Sequence, residues 1–314
     1  MSYLAGFKIG HATDNEFHTG CTVILCPEQT IGSADVRGPA PGTRETALLA
    51  PDKPVHYVNA VLLTGGSAFG LAAADGVMRY LGERGIGHYT PIRSIPIVPA
   101  AVVFDLGFSM GQRAPDAAMG YTACENAGDC RIPQGNVGAG AGVTVGKWGG
   151  FPHMMKGGFG LVVLQEGELV VGATAVTNSV GDILASNGTV LAGARKLEGG
   201  WLADDHPLRF ISQERLPQMG TNTTLTAVFT NAKLNLTEVN RLAQRSHDGM
   251  AIAIRPIHST HDGDTAFALA SGKVEAPFEL VASMTVTAVA EAIRSAARHA
   301  ETLSGVPGLA NDNQ

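Results

Sequence analysis

The sequence predicts an α+β fold or a layered sandwich, with strands and helices mixed along the chain. Short apolar runs rich in β-branched residues predict strands at 22–25, 58–63, 161–164, 169–176 and 225–230. Apolar residues at helical spacing predict helices at 67–81, 237–245 and 286–303. These elements do not alternate as strand and helix, which disfavours a doubly wound parallel sheet.

The first two predicted helices each begin at a hydroxyl residue. Ser67 follows Gly65-Gly66 in a glycine turn and is predicted to cap the first helix, and Thr237 is predicted to cap the second. Contact between this glycine loop and a ligand is the alternative interpretation. The loop is not a nucleophile elbow, because Phe69 stands where G-x-S-x-G needs its last glycine.

The composition is that of a chain with a substantial core and few charges. Hydrophobic residues make up 45% of the 314 residues and charged residues 16%, which excludes a disordered chain. The formal net charge is −6. We therefore expect neither nucleic acid nor an anionic membrane as the main partner.

Targeting and metal-binding signals are missing from the sequence. The N-terminal segment lacks a basic stretch followed by an apolar one, and no run reaches the ~18 apolar residues of a membrane helix. We therefore expect a cytoplasmic protein. The four cysteines lack C-x-x-C spacing and are predicted to be reduced thiols. The ten histidines show no zinc-binding spacing, so we expect no metal and no cofactor.

One stretch differs from the rest of the chain in its charge. Eight of the 21 residues in 195–215 are charged, which predicts a solvated connector. The connector leads into the polar run 220–224 and then into the last predicted strand.

A glycine-rich run at 135–150 resembles a phosphate loop but does not match one. It lacks G-x-G-x-x-G, and Ala141 and Trp148 occupy positions where a P-loop needs glycine and Ser/Thr. The glycines instead permit close backbone approach. Lys147 is then either a buried cation in a glycine-lined turn or an ordinary solvated lysine.

Other polar residues have both an ordinary and a chemical interpretation. Asp262 and Asp264 flank Gly263, so their carboxylates either converge on one point or belong to a simple Asp-Gly turn. Asn178 follows a predicted strand and is typical of a turn, and the threonines around Thr223 are typical strand formers. None of these residues alone indicates a function.

Together, the motifs resemble those of a known family over nearly the whole chain. The matching pieces, in order, are 35–38 (DVRG), 41–46 (PGTRET), 63–71 (LTGGSAFGL), 99–105 (PAAVVFD), 135–140 (GNVGAG), 156–160 (KGGFG), 222–225 (NTTL) and 262–265 (DGDT). The chain thus resembles the DmpA-type L-aminopeptidase/D-esterases, a family that includes β-peptidyl aminopeptidases and the nylon-oligomer hydrolase. The Asn-Thr junction and the Asp-Gly-Asp pair look most like the nylon-oligomer hydrolase.

The resemblance implies a self-processing hydrolase with an N-terminal nucleophile. The cut would fall between Asn222 and Thr223 and divide a single peptidase domain, 1–314, into chains 1–222 and 223–314. Because Thr224 follows Thr223, a cut one residue later is the alternative. The implied fold is a four-layer αββα sandwich, and the implied assembly is a homo-oligomer of αβ units.

The resemblance also implies a role for each matching residue. Thr223 would be the nucleophile, and its freed α-amine, with a pKa of about 8, would be the base. Asn178 would be an oxyanion or substrate-positioning donor, and Lys147 would lower the pKa of the amine. Asp262 and Asp264 would orient the ammonium and hydroxyl groups of Thr223.

The expected substrates are small peptides, amides or esters, including β- or ω-amino acid oligomers. Gly65, Gly66, Ser67 and Phe104 are the predicted substrate-binding residues. Phe104 stands where the family can place an oxyanion tyrosine, and it has no hydroxyl. The alternatives to hydrolysis are an acyltransferase of the ornithine acetyltransferase type and a non-catalytic ligand-binding protein of the same fold.

Overall fold

The computed structural model describes residues 3–209 and 222–310. The strands, in chain order, are β1 (Lys8–Asp14), β2 (Thr19–Leu25), β3 (Ile31–Val36), β4 (Thr43–Arg44), β5 (Ala60–Thr64), β6 (Ala100–Val102), β7 (Thr144–Val145), β8 (Met155–Lys156), β9 (Phe159–Glu166), β10 (Leu169–Asn178), β11 (Asp182–Leu184), β12 (Val190–Ala192), β13 (Thr223–Ala232), β14 (Ile254–Arg255) and β15 (Thr265–Val274). The α-helices are α1 (Ala73–Glu83), α2 (Leu106–Ser109), α3 (Ala117–Glu125), α4 (Leu202–Asp205), α5 (Leu236–Ala253) and α6 (Phe278–Arg298). Short 3-10 helices cover Thr46–Leu49, Ser67–Ala72, Gly138–Gly140, Lys147–Gly149 and Phe151–His153.

Two five-stranded sheets form the centre of the described structure. The first sheet has the strand order β1-β2-β5-β6-β4, and the second has the order β3-β15-β13-β10-β9. In the second sheet β13 pairs antiparallel with β10 and parallel with β15. Two small sheets, β12-β11-β14 and β7-β8, lie beside this pair.

Three apolar cores separate four layers. Adjacent strand residues point to opposite faces of a sheet, so each sheet contributes to two cores. In the first sheet Leu63 faces the core between the sheets, whereas Leu62 faces the core under α1 and α3. In the second sheet Phe229 faces the inter-sheet core, whereas Val228 faces the core under α5 and α6. The predicted four-layer αββα sandwich is therefore confirmed.

The five predicted strands lie within or largely within observed strands. They correspond to β2, β5, β9, β10 and β13; β9 and β13 extend beyond the prediction at both ends, and the other three extend at one end. Only the prediction at 58–63 began too early, because Val58 is in an extended segment whose N–H bonds to Thr30 O before β5 begins. The sequence pattern works here because most of these strands are buried on both faces and read as continuous apolar runs.

The predicted start of the first helix was wrong. Ser67 has φ 53° and follows Gly66 with φ 78°, so the chain enters a 3-10 helix, Ser67–Ala72, before α1 begins. No side-chain capping hydrogen bond is present there. A capping side chain requires an extended backbone at the cap residue, which the left-handed conformation of Ser67 does not provide.

The other two helices differ from prediction at their ends. Asn235, and not Thr237, caps α5: its side chain accepts from Glu238 N, and Glu238 accepts from Asn235 N. The third helix was predicted at 286–303 but α6 begins at Phe278, directly after Pro277, and ends at Arg298. Beyond α6 the chain reverses direction, and an antiparallel β-bridge pairs Leu303 with Val306, so the helix does not continue to residue 303.

The predicted connector at 195–215 was only partly correct. Asp204 and Asp205 are exposed, as expected, but they lie in the short helix α4. Arg209 is buried, and its Nε donates to Asp182 at 2.7 Å. A fully buried carboxylate holds the guanidinium out of solvent, which charge counting along the chain could not predict. Residues 210–215 lie outside the described residues.

Within the described residues, α6 is the helix whose length and composition would allow it to cross a membrane. Buried residues make up 61% of its most apolar window. Its apolar residues pack against α5 and the second sheet, as in the core helix of a globular domain. The four cysteines are all free thiols.

Candidate active site

The site lies where β10 ends and β13 begins. The antiparallel register pairs Asn178, the last residue of β10, with Thr223, the first residue of β13. Both are buried. Because β15 runs parallel to β13, with Thr265 opposite Leu225, the Asp-Gly-Asp turn before β15 reaches the same end of the sheet. The sheet thus brings together residues that are 39 or more positions apart in the sequence.

Lys147 is a buried cation in a glycine turn. Gly146 has φ 74°, and a Cβ there would collide with the backbone of Gly193, so only glycine allows this approach. The Lys147 Nζ donates to Asn178 O at 2.9 Å and to Asn178 Oδ1 at 2.8 Å. Of the two interpretations of Lys147, the structure supports burial.

The amide of Asn178 is fixed on both sides. Its Oδ1 accepts from Lys147 Nζ and, at 3.2 Å, from Thr144 N. Its Nδ2 donates to Phe104 O at 3.1 Å. These bonds orient the amide group, because a flipped amide would set donor against donor at Lys147 and Thr144.

The Asp-Gly-Asp turn lies against the Asn222–Thr223 peptide. Asp264 Oδ1 accepts from the N–H of Thr224 at 2.6 Å, and the N–H of Gly263 donates to Asn222 O at 2.9 Å. A Cβ on Gly263 would lie 2.8 Å from Thr223 Oγ1 and 2.5 Å from Ala40 O. The Asp264 carboxylate therefore reaches the start of β13, whereas the Asp262 carboxylate accepts from Ser259 in the turn before it and, at 3.5 Å, from Val180 N.

The carbonyl of Asn222 has two donors. Thr223 Oγ1 donates to it at 2.5 Å, and the N–H of Gly263 donates from the turn. The threonine hydroxyl is thus held beside the carbonyl group that precedes it. A backbone N–H at a carbonyl oxygen stabilises negative charge that develops there.

Burial changes the ionisation of two groups. It lowers the pKa of Lys147 to about 7, and the negative charge of Asp262 opposes this effect. Burial and, to a smaller extent, the charge of Asp264 raise the pKa of Asp262 to about 6. Both groups therefore change charge near neutral pH, which is typical of groups at functional sites.

An apolar cavity of about 340 Å³ reaches the site at Lys147. Phe104, Phe108, Phe151 and Met154 form much of its wall, with Thr144, Asp105, Gly107 and Gly142. Phe104 therefore lines a cavity next to Asn178, and its role in substrate binding stays a prediction. The shape and apolar lining suit the hydrocarbon part of a small ligand.

The glycine loop at 65–67 does not line this cavity. Gly66 N donates to Asp105 Oδ1 at 2.6 Å, and a Cβ on Gly65 would collide with the same carboxylate. Ser67 N donates to Val103 O. The loop supports Asp105 from behind, so its three residues do not share the cavity wall with Phe104.

Two residues at the site were missed by the sequence analysis. His258 donates to Asp264 Oδ2 from its backbone N at 3.1 Å, and its Nδ1 lies 2.8 Å from the same oxygen. Ser259 donates to Asp262 Oδ2 from its N and its Oγ. The only signal was the polar run 258–261 directly before the Asp-Gly-Asp turn.

In the part of the chain that the structure describes, no group of three or more His, Cys, Asp or Glu residues could hold a metal ion.

The comparisons with known sequences agree with the motif resemblance. The profile of peptidase family S58 matches residues 3–310. The chain is 41% identical over 298 residues to an uncharacterized aminopeptidase of Mycobacterium leprae, covering 87% of this chain and 78% of that protein. It is 32% identical over 279 residues to the 6-aminohexanoate-oligomer endohydrolase of Paenarthrobacter ureafaciens, covering 87% of this chain and 75% of that enzyme.

Solved structures share the fold at low sequence identity. The L-aminopeptidase D-Ala-esterase/amidase of Ochrobactrum anthropi, described as a variant of the Ntn hydrolase fold, aligns with a TM-score of 0.74 and 18% identity, covering 98% of this chain and 88% of that one. A β-aminopeptidase of Burkholderia sp. aligns with a TM-score of 0.70 and 21% identity, covering 97% and 88%. With the profile match and the close relatives, this fold leads to one conclusion: the chain belongs to peptidase family S58.

Proposed function

We propose that the chain is a self-processing amidohydrolase that cuts itself between Asn222 and Thr223. The freed Thr223 then hydrolyses small peptides, amides or esters. The observation that carries the proposal is the pairing of Thr223 with Asn178 at a strand end that Lys147 and two buried carboxylates also reach.

Self-cleavage would begin with the Thr223 hydroxyl. Its oxygen attacks the Asn222 carbonyl carbon, the C–N bond breaks, and the hydroxyl proton passes to the departing nitrogen. Water then opens the resulting ester to give the Asn222 carboxylate and a free Thr223 amine and hydroxyl. The N–H of Gly263, 2.9 Å from Asn222 O, supports this step because it faces the oxygen on which negative charge develops.

Substrate turnover would use the same hydroxyl with a new base. A threonine hydroxyl is a weak nucleophile at neutral pH, and the free α-amine can take its proton. Lys147 keeps the pKa of that amine low through its positive charge. Asn178, held by Lys147 and the Phe104 carbonyl, is the donor that positions the substrate carbonyl.

Asp262 and Asp264 would orient the amine of Thr223. Asp264 already accepts from the backbone N–H of Thr224, one residue beyond the nucleophile. Asp262 is paired with Asn222 in a parallel bridge at the same strand end, and Gly263 between the two aspartates leaves room for Thr223 Oγ1. This arrangement gives the amine and hydroxyl one defined geometry, as the third member of a catalytic triad does.

The acyl part of the substrate would occupy the apolar cavity. Its aromatic wall suits an aliphatic or aromatic acyl chain, and the names of the relatives indicate amino-terminal residues and 6-aminohexanoate oligomers as substrates of those enzymes. Phe104 contributes area but no hydroxyl, so Asn178 carries the oxyanion role alone among the predicted side chains. The cytoplasmic location, the αβ homo-oligomer and the absence of nucleic-acid and membrane partners stay predictions from the sequence.

The test is a matched pair of substitutions at adjacent threonines. Thr223→Ala should abolish both cutting and hydrolysis of aminoacyl amides, because it removes the attacking oxygen. Thr224→Val should still cut, since the Thr224 Oγ1 has no hydrogen-bond partner among the described residues and valine has the same shape. Activity in an uncut Thr223→Ala protein would disprove the proposal, and loss of cutting only in Thr224→Val would move the cut by one residue.

A further inference from the structure

Behind Asp264, a row of polar groups leads away from the site. Asp264 Oδ2 lies 2.8 Å from His258 Nδ1, and His258 Nε2 lies 3.2 Å from His247 Nδ1. His247 Nε2 in turn lies 3.1 Å from the backbone oxygen of Asp35. The row connects the Asp-Gly-Asp turn to α5 and to the end of β3, and nothing in the proposed chemistry uses it.

The donors and acceptors at the three contacts fix the number of protons in this row. Each of the three contacts needs one proton between its two atoms, and the backbone oxygen of Asp35 cannot supply one. The row therefore holds three protons, whereas two neutral histidines carry only two. The third proton lies on His258 or on His247, either of which would become an imidazolium, or on the carboxyl of Asp264.

The other contacts of Asp264 show that the third proton does not lie on its carboxyl. Its Oδ1 accepts from Thr224 N at 2.6 Å, and its Oδ2 accepts from the backbone N of His258 at 3.1 Å. Hydrogen bonds donated to a carboxylate favour its ionised form. A proton on Oδ2 would also have to share that oxygen with the His258 N–H, so the proton belongs to one of the two imidazoles.

His247 is the neutral member of the pair. Its side chain is fully buried, whereas that of His258 is 21% exposed, so the charge costs less on His258. Burial, with a smaller contribution from the charge of His258, lowers the pKa of His247 to about 4 even though the backbone oxygen and the charge of Asp35 oppose the shift. A neutral His247 with its proton on Nε2 donates to Asp35 O and accepts from His258.

We propose that His258 is a positioning residue, protonated on both ring nitrogens, whose charge keeps Asp264 ionised against the start of β13. Its effect on turnover rests on the proposed function, whereas the positions of the protons are a property of the uncut chain. His258 does not touch the reacting atoms. It acts through Asp264, and His247 holds it in place.

The charge balance of the site explains what this proton does. Asp264 faces His258, Asp35 and Arg37 face His247, and Asp262 and Lys147 lie close enough to Asp264 and to each other to interact with them electrostatically. Without the imidazolium, the two carboxylates near Thr223 would outnumber the buried Lys147. An excess of negative charge raises the pKa of a nearby amine, so the Thr223 amine would be protonated at neutral pH and could not act as a base.

The backbone at His258 also points to a specific substitution. His258 has φ 54°, a left-handed conformation that asparagine adopts more readily than most residues. Asparagine also offers an N–H donor near the position of Nδ1 but carries no charge. His258→Asn therefore removes the charge while keeping the hydrogen bond and the turn.

The first test is nitrogen NMR of histidine-labelled Thr223→Ala protein at pH 7. We expect two protonated ring nitrogens on His258 and one, Nε2, on His247. A single protonated nitrogen on His258 would place the third proton on His247 or on Asp264 and overturn the proposal. The readout needs no activity, so if Thr223→Ala proved to be cut and active, the proposed function would fail while the result for His258 stood.

The second test is the pH profile of kcat/KM for His258→Asn in the cut enzyme. We expect the acidic limb to move to higher pH by about one unit, because the amine loses a nearby positive charge. His299→Asn is the control: His299 lies just after α6 and bonds to Ser295, away from the site. An acidic limb that stays in place in cut His258→Asn would show a purely structural role for His258 and overturn the proposal. If His258→Asn is not cut, the NMR experiment alone decides whether the proposal stands.

Discussion

Among the described residues, Lys147 and Lys156 are both buried, and they donate hydrogen bonds to different kinds of partner. Lys147 donates to the backbone and side-chain oxygens of Asn178, whereas Lys156 donates to the carbonyls of Ala141 and Val143. Burial lowers the pKa of each to about 7. The first lysine therefore orients a side chain at the strand end, and the second ties together backbone segments.

The lowered pKa values predict a pH dependence of stability. In the folded protein each lysine has a pKa below the 10.5 of a free lysine, so the unfolded chain binds more protons between pH 7 and 10.5. The free energy of unfolding therefore rises with pH in this window, and the gain is lost as pH falls through about 7. From pH 7 to 9 we expect about 2 kcal/mol from each lysine.

Denaturant unfolding of uncut Thr223→Ala protein at pH 7 and pH 9 measures this gain. Lys147→Met and Lys156→Met, each made in that protein, should each remove about half of it. With Thr223 present, only Lys147→Met should also stop cutting, because only Lys147 holds Asn178. If the free energy of unfolding rose equally with pH in all three proteins, the lowered pKa values of the two lysines would be contradicted.

At the level of residues, the sequence was informative where a motif existed. Thr223, Asn178, Lys147 and the two aspartates were named from the family resemblance, and the structure brings them together. His258 could not be predicted, because its contact with Asp264 depends on a turn with positive φ. The residue spacing could not decide whether Lys147 is buried or solvated, because its burial depends on the close approach of Gly146 to a distant segment.

At the level of elements, the turn between β14 and β15 sets the geometry of the cut. Gly263→Ala should slow cutting at least tenfold with the fold intact, because the new Cβ would meet both Thr223 Oγ1 and Ala40 O. The rate is measured from the ratio of cut to uncut chain after synthesis. Gly128→Ala, where a Cβ meets open space, is the control and should cut normally. Normal cutting in Gly263→Ala would mean that the turn does not touch the nucleophile.

The start of α5 offers a second test at this level. Asn235→Ala should lower the free energy of unfolding by about 1 kcal/mol, because it removes one half of a reciprocal cap. Thr237→Ala, one residue into the helix and exposed, should change it by less than about 0.5 kcal/mol. Denaturant unfolding of the two variants gives the comparison, and a larger loss in Thr237→Ala would favour the cap predicted from the sequence.

The sequence predicted strands better than helix ends. Strands such as β10 and β13 are buried along their whole length and read directly as apolar runs. Helix starts depend on which of several adjacent polar residues has an extended backbone, and Asn235 and Thr237 are both acceptable caps by type. Ser67 failed as a cap because Gly66 turns the chain into the left-handed region first.

At the level of the whole molecule, the layers explain how a cut chain can stay together. The chain from Thr223 onward supplies β13, β14, β15, α5 and α6, and β13 lies between β10 and β15 in the centre of the second sheet. The apolar cores on both faces of that sheet contain residues from both sides of the cut. Separating the two pieces would expose both cores, so we expect them to remain one folded unit.

The residue patterns alone could not predict the order of the layers. Mixed strands and helices predict an α+β fold, but they do not say which strands share a sheet. β3 and β15 are neighbours although more than 200 residues separate them, and no local signal marks such a pairing. The four-layer sandwich was predicted only through the family resemblance.

The most direct test of self-processing is the intact mass of freshly purified protein, under denaturing and then native conditions. Scaled by residue count from 32.5 kDa, a cut before Thr223 gives pieces of about 23 and about 9.5 kDa, which separate only in denaturant. The smaller piece should begin Thr-Thr-Leu-Thr. A single stable species of 32.5 kDa would contradict the account, because Thr223 would then never gain the amine that it needs as a base.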